Sequence, residues 1–127
     1  MAREKSLDNK VLNYLKQRGC WSIKYWAGAK FTKTGVPDIL ACINGRFVAI
    51  EDKADNGRPT LLQLVNLQKI RNAGGYGILL YPKDFDQFKN FILNLITNQP
   101  ALWPEEVTAW YMMNVETQKN WILKLDT

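Results

Sequence analysis

Periodicity along the chain predicts an α/β fold in the order αβββαβα. Apolar residues at helical spacing open the chain, two apolar runs joined by Asn44-Gly45 lie near its middle, and a further strand pattern sits between two helical ones. At 127 residues the chain can build one good hydrophobic core. The expected division is a core over residues 1–97, in which helices flank a central mixed sheet, and a tryptophan-rich C-terminal extension over 98–127.

The elements follow in order. Leu7, Val11, Leu12 and Leu15 recur at helical spacing within residues 6–18, with Ser6 placed as N-cap and Gly19 as stop. Residues 20–26 are rich in aromatic and β-branched side chains and predict a strand, followed by a lysine-bearing loop over 27–34. Residues 39–43 and 47–50 are apolar runs separated by Asn-Gly, the strongest short hairpin signal. The turn residues at 55–59 precede a helix opened by Thr60, carrying Leu64, Leu67 and Ile70 and stopped at Gly74-Gly75. Residues 76–81 predict the last strand, and Phe85, Phe88, Phe91, Ile92 and Leu95 mark a helix over 83–97. In the extension, Trp103, Trp110 and Trp121 are packing material, and Pro104-Glu105-Glu106 suits a first helical turn.

Composition narrows the chemistry. Histidine is absent, which removes Ser-His-Asp triads, HExxH zinc sites and histidine general bases together. Hydrolysis by this chain would rest on carboxylates, lysine and a metal ion. Cys20 and Cys42 have no CxxC spacing and are expected in the core. No apolar run approaches the roughly 20 residues of a membrane span, and the first residues lack the apolar centre of a secretory signal, so a cytoplasmic location is expected. The net charge of +5 favours polyanionic partners without identifying one.

One constellation stands out. With Asn44 and Gly45 as the two turn residues, counting outward along the hairpin sets Asp38 opposite Glu51. Opposed Cβ atoms lie about 4.5–5.5 Å apart, close enough for both carboxylates to hold one ion. Lys53, two residues beyond Glu51, projects from the same face, whereas Asp52 points to the other. Like charges facing each other destabilise a sheet, so the pair calls for a cation, and Mg²⁺ or Mn²⁺ suits hard oxygen donors. The bland alternative is a surface ion pair at a strand end. Against it, both strands are apolar on both faces, as buried central strands are.

The string GVPDILACINGRFVAIEDKADNGRPTLLQLVNLQKIRNAGG resembles the core of the VRR-NUC (virus-type replication-repair nuclease) family of the PD-(D/E)xK superfamily, in its phage-type stand-alone form, and the similarity spans residues 7–92. The resemblance implies a restriction-endonuclease-like core, DNA cleavage with Mg²⁺ or Mn²⁺, branched or Holliday junction DNA as substrate, and a homodimer. It carries Asp38, Glu51, Lys53 and Gln63 over as catalytic residues, with Asp38 and Glu51 as metal ligands and Asp8 in place of the first-helix glutamate. Gln63 has an equal structural explanation as a capping box with Thr60, and Asp8 has one as a favourable charge near a helix N-terminus. Position 52 departs from the family, where it is commonly apolar.

For DNA contact, Lys24, Lys30 and Lys33, interleaved with Tyr25, Trp26 and Phe31, combine phosphate binding with base stacking, and Arg58 stands on the other side of the site. Two other classes of function compete with the endonuclease: a catalytically degenerate DNA-binding accessory protein, and an interaction protein whose tryptophan-rich tail is the interface. Metal-dependent cutting separates the first from the others, and salt-sensitive DNA affinity separates the accessory protein from the purely structural one.

Overall fold

In a computed structural model of the chain, residues 2–26 and 33–103 are described, with the backbone alone for 2–5. The central feature is a hairpin, β2 (Ile39–Ile43) and β3 (Arg46–Asp52). Asn44 at φ 49° and Gly45 at φ 80° supply the two left-handed residues that a tight type I′ reversal needs. The register runs from Ile43 opposite Arg46 to Ile39 opposite Ile50, as the two-residue turn requires. The Asn44 amide also donates to Leu95 O at 3.0 Å, fastening the turn to the end of the last helix.

Strand β1 (Trp21–Lys24) pairs antiparallel with β2, and β4 (Tyr76–Leu80) pairs parallel with β3, giving an open mixed sheet in the order β1-β2-β3-β4. The parallel pair needs a crossover, and α2 (Leu61–Asn72) supplies it. Around the sheet the chain runs α1 (Ala2–Gln17), β1, β2, β3, α2, β4, a 3₁₀ turn over Pro82–Asp84 and α3 (Phe85–Ile96). The α/β class, the mixed sheet and the three helices therefore stand. Helix α1 begins before the expected Ser6 cap, in keeping with the good helix-forming residues ahead of it. Strand β1 is shorter than the expected 20–26, and a 3₁₀ turn with proline at its start takes up the beginning of the last helix.

Alternation along the strands divides the core. Ile39, Ala41, Ile43, Val48, Ile50, Ile78 and Leu80 face one way and pack against Leu7, Val11 and Leu15 of α1 and Phe88, Phe91, Ile92 and Leu95 of α3. Burying side chains of this size contributes about 1.5–3 kcal/mol each, so this layer dominates the cohesion of the fold. On the other face Leu67 of α2 meets Leu79 and Tyr81. The approach there is close: a Cβ on Gly77 would lie 2.6 Å from Leu67 O. Of the C-terminal extension, Trp103 is buried edge-on to Phe88 and Phe91, with centroids 6.4 and 5.8 Å away. Trp110, Trp121 and the expected turn at Pro104 lie outside the described residues. No helix among the described residues is long and apolar enough to cross a membrane.

Candidate active site

The segment leading into β2 is held before it reaches the acids. Gly35, at φ 77°, has Leu62 of α2 where a Cβ would stand, and its carbonyl accepts a 2.8 Å hydrogen bond from Asn66 Nδ2. Pro37 is buried next to it. Asp38 is thereby fixed at the mouth of β2: its carbonyl accepts from Tyr25 N at 2.7 Å, and its Oδ2 accepts from Asp52 N at 3.0 Å.

Extending the observed register by one step sets Asp38 across from Glu51, near enough for the two carboxyl groups to perturb each other. Glu51 is fully buried, and neither of its oxygens has a hydrogen-bond partner. Lys53 Nζ stands 3.4 Å from its Oε2 as an ion-pair partner. Burial first, and the Asp38 charge second, push the Glu51 pKa up to about 9, with Lys53 pulling the other way. Glu51 thus keeps a proton at neutral pH. Burial raises Asp38 as well, while the neighbouring Glu51 carboxyl and the hydrogen bond from Asp52 N oppose the rise.

A second acid cluster lies on the reverse of the same strand. Asp52 points toward α1, as alternation requires, and is fully buried; its carboxyl sits against that of Asp8, which is itself 4 % exposed. Desolvation, followed by the proximity of Asp8 and the surrounding negative charges, holds Asp52 well above the usual carboxylate range. Asp8 Oδ2 is bonded to Lys24 Nζ. Burial works against the charge on Lys24, but the bond to Asp8 and the nearby carboxylates outweigh it and raise its pKa.

The residues singled out from the sequence are therefore distributed as follows. Asp38, Glu51 and Lys53 converge in one corner. Asp8 is brought to Lys24 and Asp52 on the α1 side, and its influence on Asp38 is electrostatic. Lys24, expected at a phosphate, spends its charge inside the protein. Gln63 completes the capping box: its Oε1 accepts from Thr60 N at 2.8 Å and its own N–H donates to Thr60 Oγ1 at 3.2 Å, so its amide oxygen is committed to the start of α2. Lys33 and Arg58 are exposed. The Ala54–Gly57 turn that leads to Arg58 is held by Tyr81, whose hydroxyl donates to Gly57 O at 2.8 Å. Lys30 lies outside the described residues. Sequence reasoning missed the ion pair of Lys24 with Asp8; the signal available was the odd acid at position 52, which a buried strand tolerates only with partners behind it.

The unsatisfied oxygens of Glu51, beside the Asp38 carboxylate, suit a divalent cation. Among the described residues, no group of three or more His, Cys, Asp or Glu side chains is arranged to hold a metal by itself. That donor set fits Mg²⁺, which commonly binds one or two carboxylates and fills its octahedron with water and substrate phosphate, better than an ion needing a closed protein cage. Set against protein-family models and curated proteins, the sequence matches none.

Proposed function

We propose that the chain is a divalent-metal-dependent endonuclease that hydrolyses DNA phosphodiester bonds, with a restriction-endonuclease-like core of the VRR-NUC type. One observation carries the reading: a fully buried glutamate with unsatisfied oxygens faces a second carboxylate and has a lysine 3.4 Å away. A buried acid held this far from its ordinary pKa, with specific charge partners, is more characteristic of a working site than of a structural ion pair.

In this reading Asp38 and Glu51 hold Mg²⁺ or Mn²⁺, which when bound would polarise the phosphate and offset charge developing on it. To hold the cation Glu51 would have to be deprotonated, its proton passing to solvent, because a carboxyl ligates as the carboxylate. Lys53, 3.4 Å from Glu51 Oε2, orients the attacking water or holds a phosphate oxygen. The hydrogen bond from Asp52 N fixes the Asp38 carboxylate. Gln63 acts through the position of α2, and Asp8 with Lys24 braces the reverse of β3. Lys33 and Arg58 supply exposed charge for the DNA backbone. Branched or junction DNA, a homodimer to cut paired strands and a role in replication, recombination or repair follow from the family resemblance and belong to the proposal.

A cleavage panel tests it, comparing linear duplex, single strand, flap, splayed arm and four-way junction with Mg²⁺, with Mn²⁺ and with EDTA. Wild-type protein should cut at least one substrate and fall silent in EDTA. Asp38→Ala, Glu51→Ala and Lys53→Ala should each lose on the order of 10²-fold or more in rate, the scale of removing one transition-state stabilising group. Unchanged cutting by Glu51→Ala would refute the assignment. DNA binding without cutting by the wild type would favour the accessory protein instead.

A further inference from the structure

Lys53 lies one residue past the end of β3, yet only 9 % of it is exposed. A lysine is a flexible four-carbon stem, so its Nζ stands 3.4 Å from Glu51 Oε2 only if the surroundings hold it there. Two contacts do so. Lys53 N donates to Leu80 O at 2.9 Å, which carries the β3–β4 ladder one step beyond Asp52; the same register places Tyr81 beside Lys53, on the α2 side of the sheet. Over the stem lies the turn closed by Gly57 N on Ala54 O at 2.8 Å. A Cβ on Gly57 would stand 3.4 Å from Lys53 Cβ, so the backbone of the turn rests directly on the lysine.

We infer that Tyr81 is a positioning residue for Lys53: its hydroxyl pins the Ala54–Gly57 turn and so keeps the lysine aimed at Glu51. Beyond Ala54 the turn has no apolar side chain to seat in the core, running Asp55-Asn56-Gly57-Arg58, and Asp55 and Asn56 at its tip are exposed. Tyr81, by contrast, is anchored. It is 5 % exposed, its ring packs with Leu67 of α2 and Leu79, and its hydroxyl donates to Gly57 O at 2.8 Å. Phenylalanine would fill the same apolar space; a buried tyrosine adds a polar handle that it directs at a partner. Here that partner is the backbone lying on Lys53, so one hydrogen bond ties the end of β4 to the place of the lysine. The place matters, because misplacing a reacting group by about 1 Å can cost on the order of 10²-fold in rate. The inference rests on the role proposed above for Lys53 and deepens it by naming what sets its position.

The test uses Tyr81→Phe, which keeps the ring and removes the hydroxyl, and reads Lys53 in two ways. In the first, protein without DNA or metal ion is acylated with an amine-reactive ester, and the rate at Lys53 is followed by mass spectrometry. Tyr81→Phe should raise that rate by at least ~5-fold, the scale of one hydrogen bond lost from a local opening equilibrium. Tyr14→Phe is the matched control, since it loses a hydroxyl bond to Lys89 O at 3.2 Å between α1 and α3, and it should leave Lys53 as slow as in the wild type. In the second, cleavage by Tyr81→Phe should show kcat lower by about 10-fold with KM for DNA within ~2-fold, the pattern of a contact made in the transition state. Unchanged Lys53 reactivity overturns the inference, as does an equal rise in both variants. Raised reactivity with an unchanged kcat overturns it too, because the turn then shields Lys53 without aiming it. A wild type that cuts no DNA counts against the nuclease reading instead, and labelling alone still decides whether Tyr81 holds the turn on Lys53.

Discussion

Glu51 concentrates the energetic conflict of the molecule. Its carboxyl is buried opposite another acid, and the folded protein accommodates it by keeping it protonated, with a pKa of about 9 against an ordinary 4.5. Because the folded state binds this proton more tightly than the unfolded chain, the stabilisation is complete below pH 4.5 and is lost as pH climbs through about 9. The metal-free melting temperature should therefore carry a falling contribution over that window. Glu51→Gln, which stays neutral at every pH, should flatten the fall and raise the melting temperature at pH 8; parallel curves for the two proteins would contradict the assigned burial cost. The meeting of Asp38, Glu51 and Lys53 was legible from spacing alone, because a two-residue turn fixes cross-strand partners. The bonding of Asp8 to Lys24 was not, since it depends on how α1 lies over β1, a packing choice that no local spacing encodes.

At the level of elements, α2 links the loop that carries Asp38 to the strand that flanks Glu51. It holds Gly35 through Asn66, and its backbone meets β4 at Gly77. Gly77→Ala would place a Cβ 2.6 Å from Leu67 O, and a backbone atom cannot swing aside as a side-chain tip can. The substitution should cost about 1–3 kcal/mol, the range for overpacking, read as a lower urea midpoint with unchanged slope. A midpoint equal to wild type would mean that α2 is not seated this closely. The capping box of α2 was visible in the sequence because Thr60 and Gln63 are local partners. Helix α1 was placed too late, because Ser6 matches a cap in composition but sits inside the helix: cap identity and helix start are separable when the preceding residues also favour helix.

At the scale of the molecule, the described residues differ in what they do with positive charge. Lys33 and Arg58 are exposed, while Lys24 is neutralised by Asp8. If Lys33 and Arg58 each meet a DNA phosphate, replacing both with alanine should make the plot of log affinity against log salt shallower by about 1.8, at ~0.9 per lost contact. Lys24→Ala should leave that slope as it was, and the opposite pattern would reassign the DNA-facing side. The exposure of Trp21, Cys42 and Phe47 escaped sequence reading because strands buried on both faces and strands exposed on one can be equally apolar. The Asn44-Gly45 reversal has one more consequence. Adjacent positions in β3 hold acids that serve opposite sides, and only the parity of the turn decides which of them meets Asp38. A single extra amino acid at that bend would leave a hairpin of the same apolar character while exchanging front and back, so the chemistry of this protein is vulnerable to an insertion that its folding could survive.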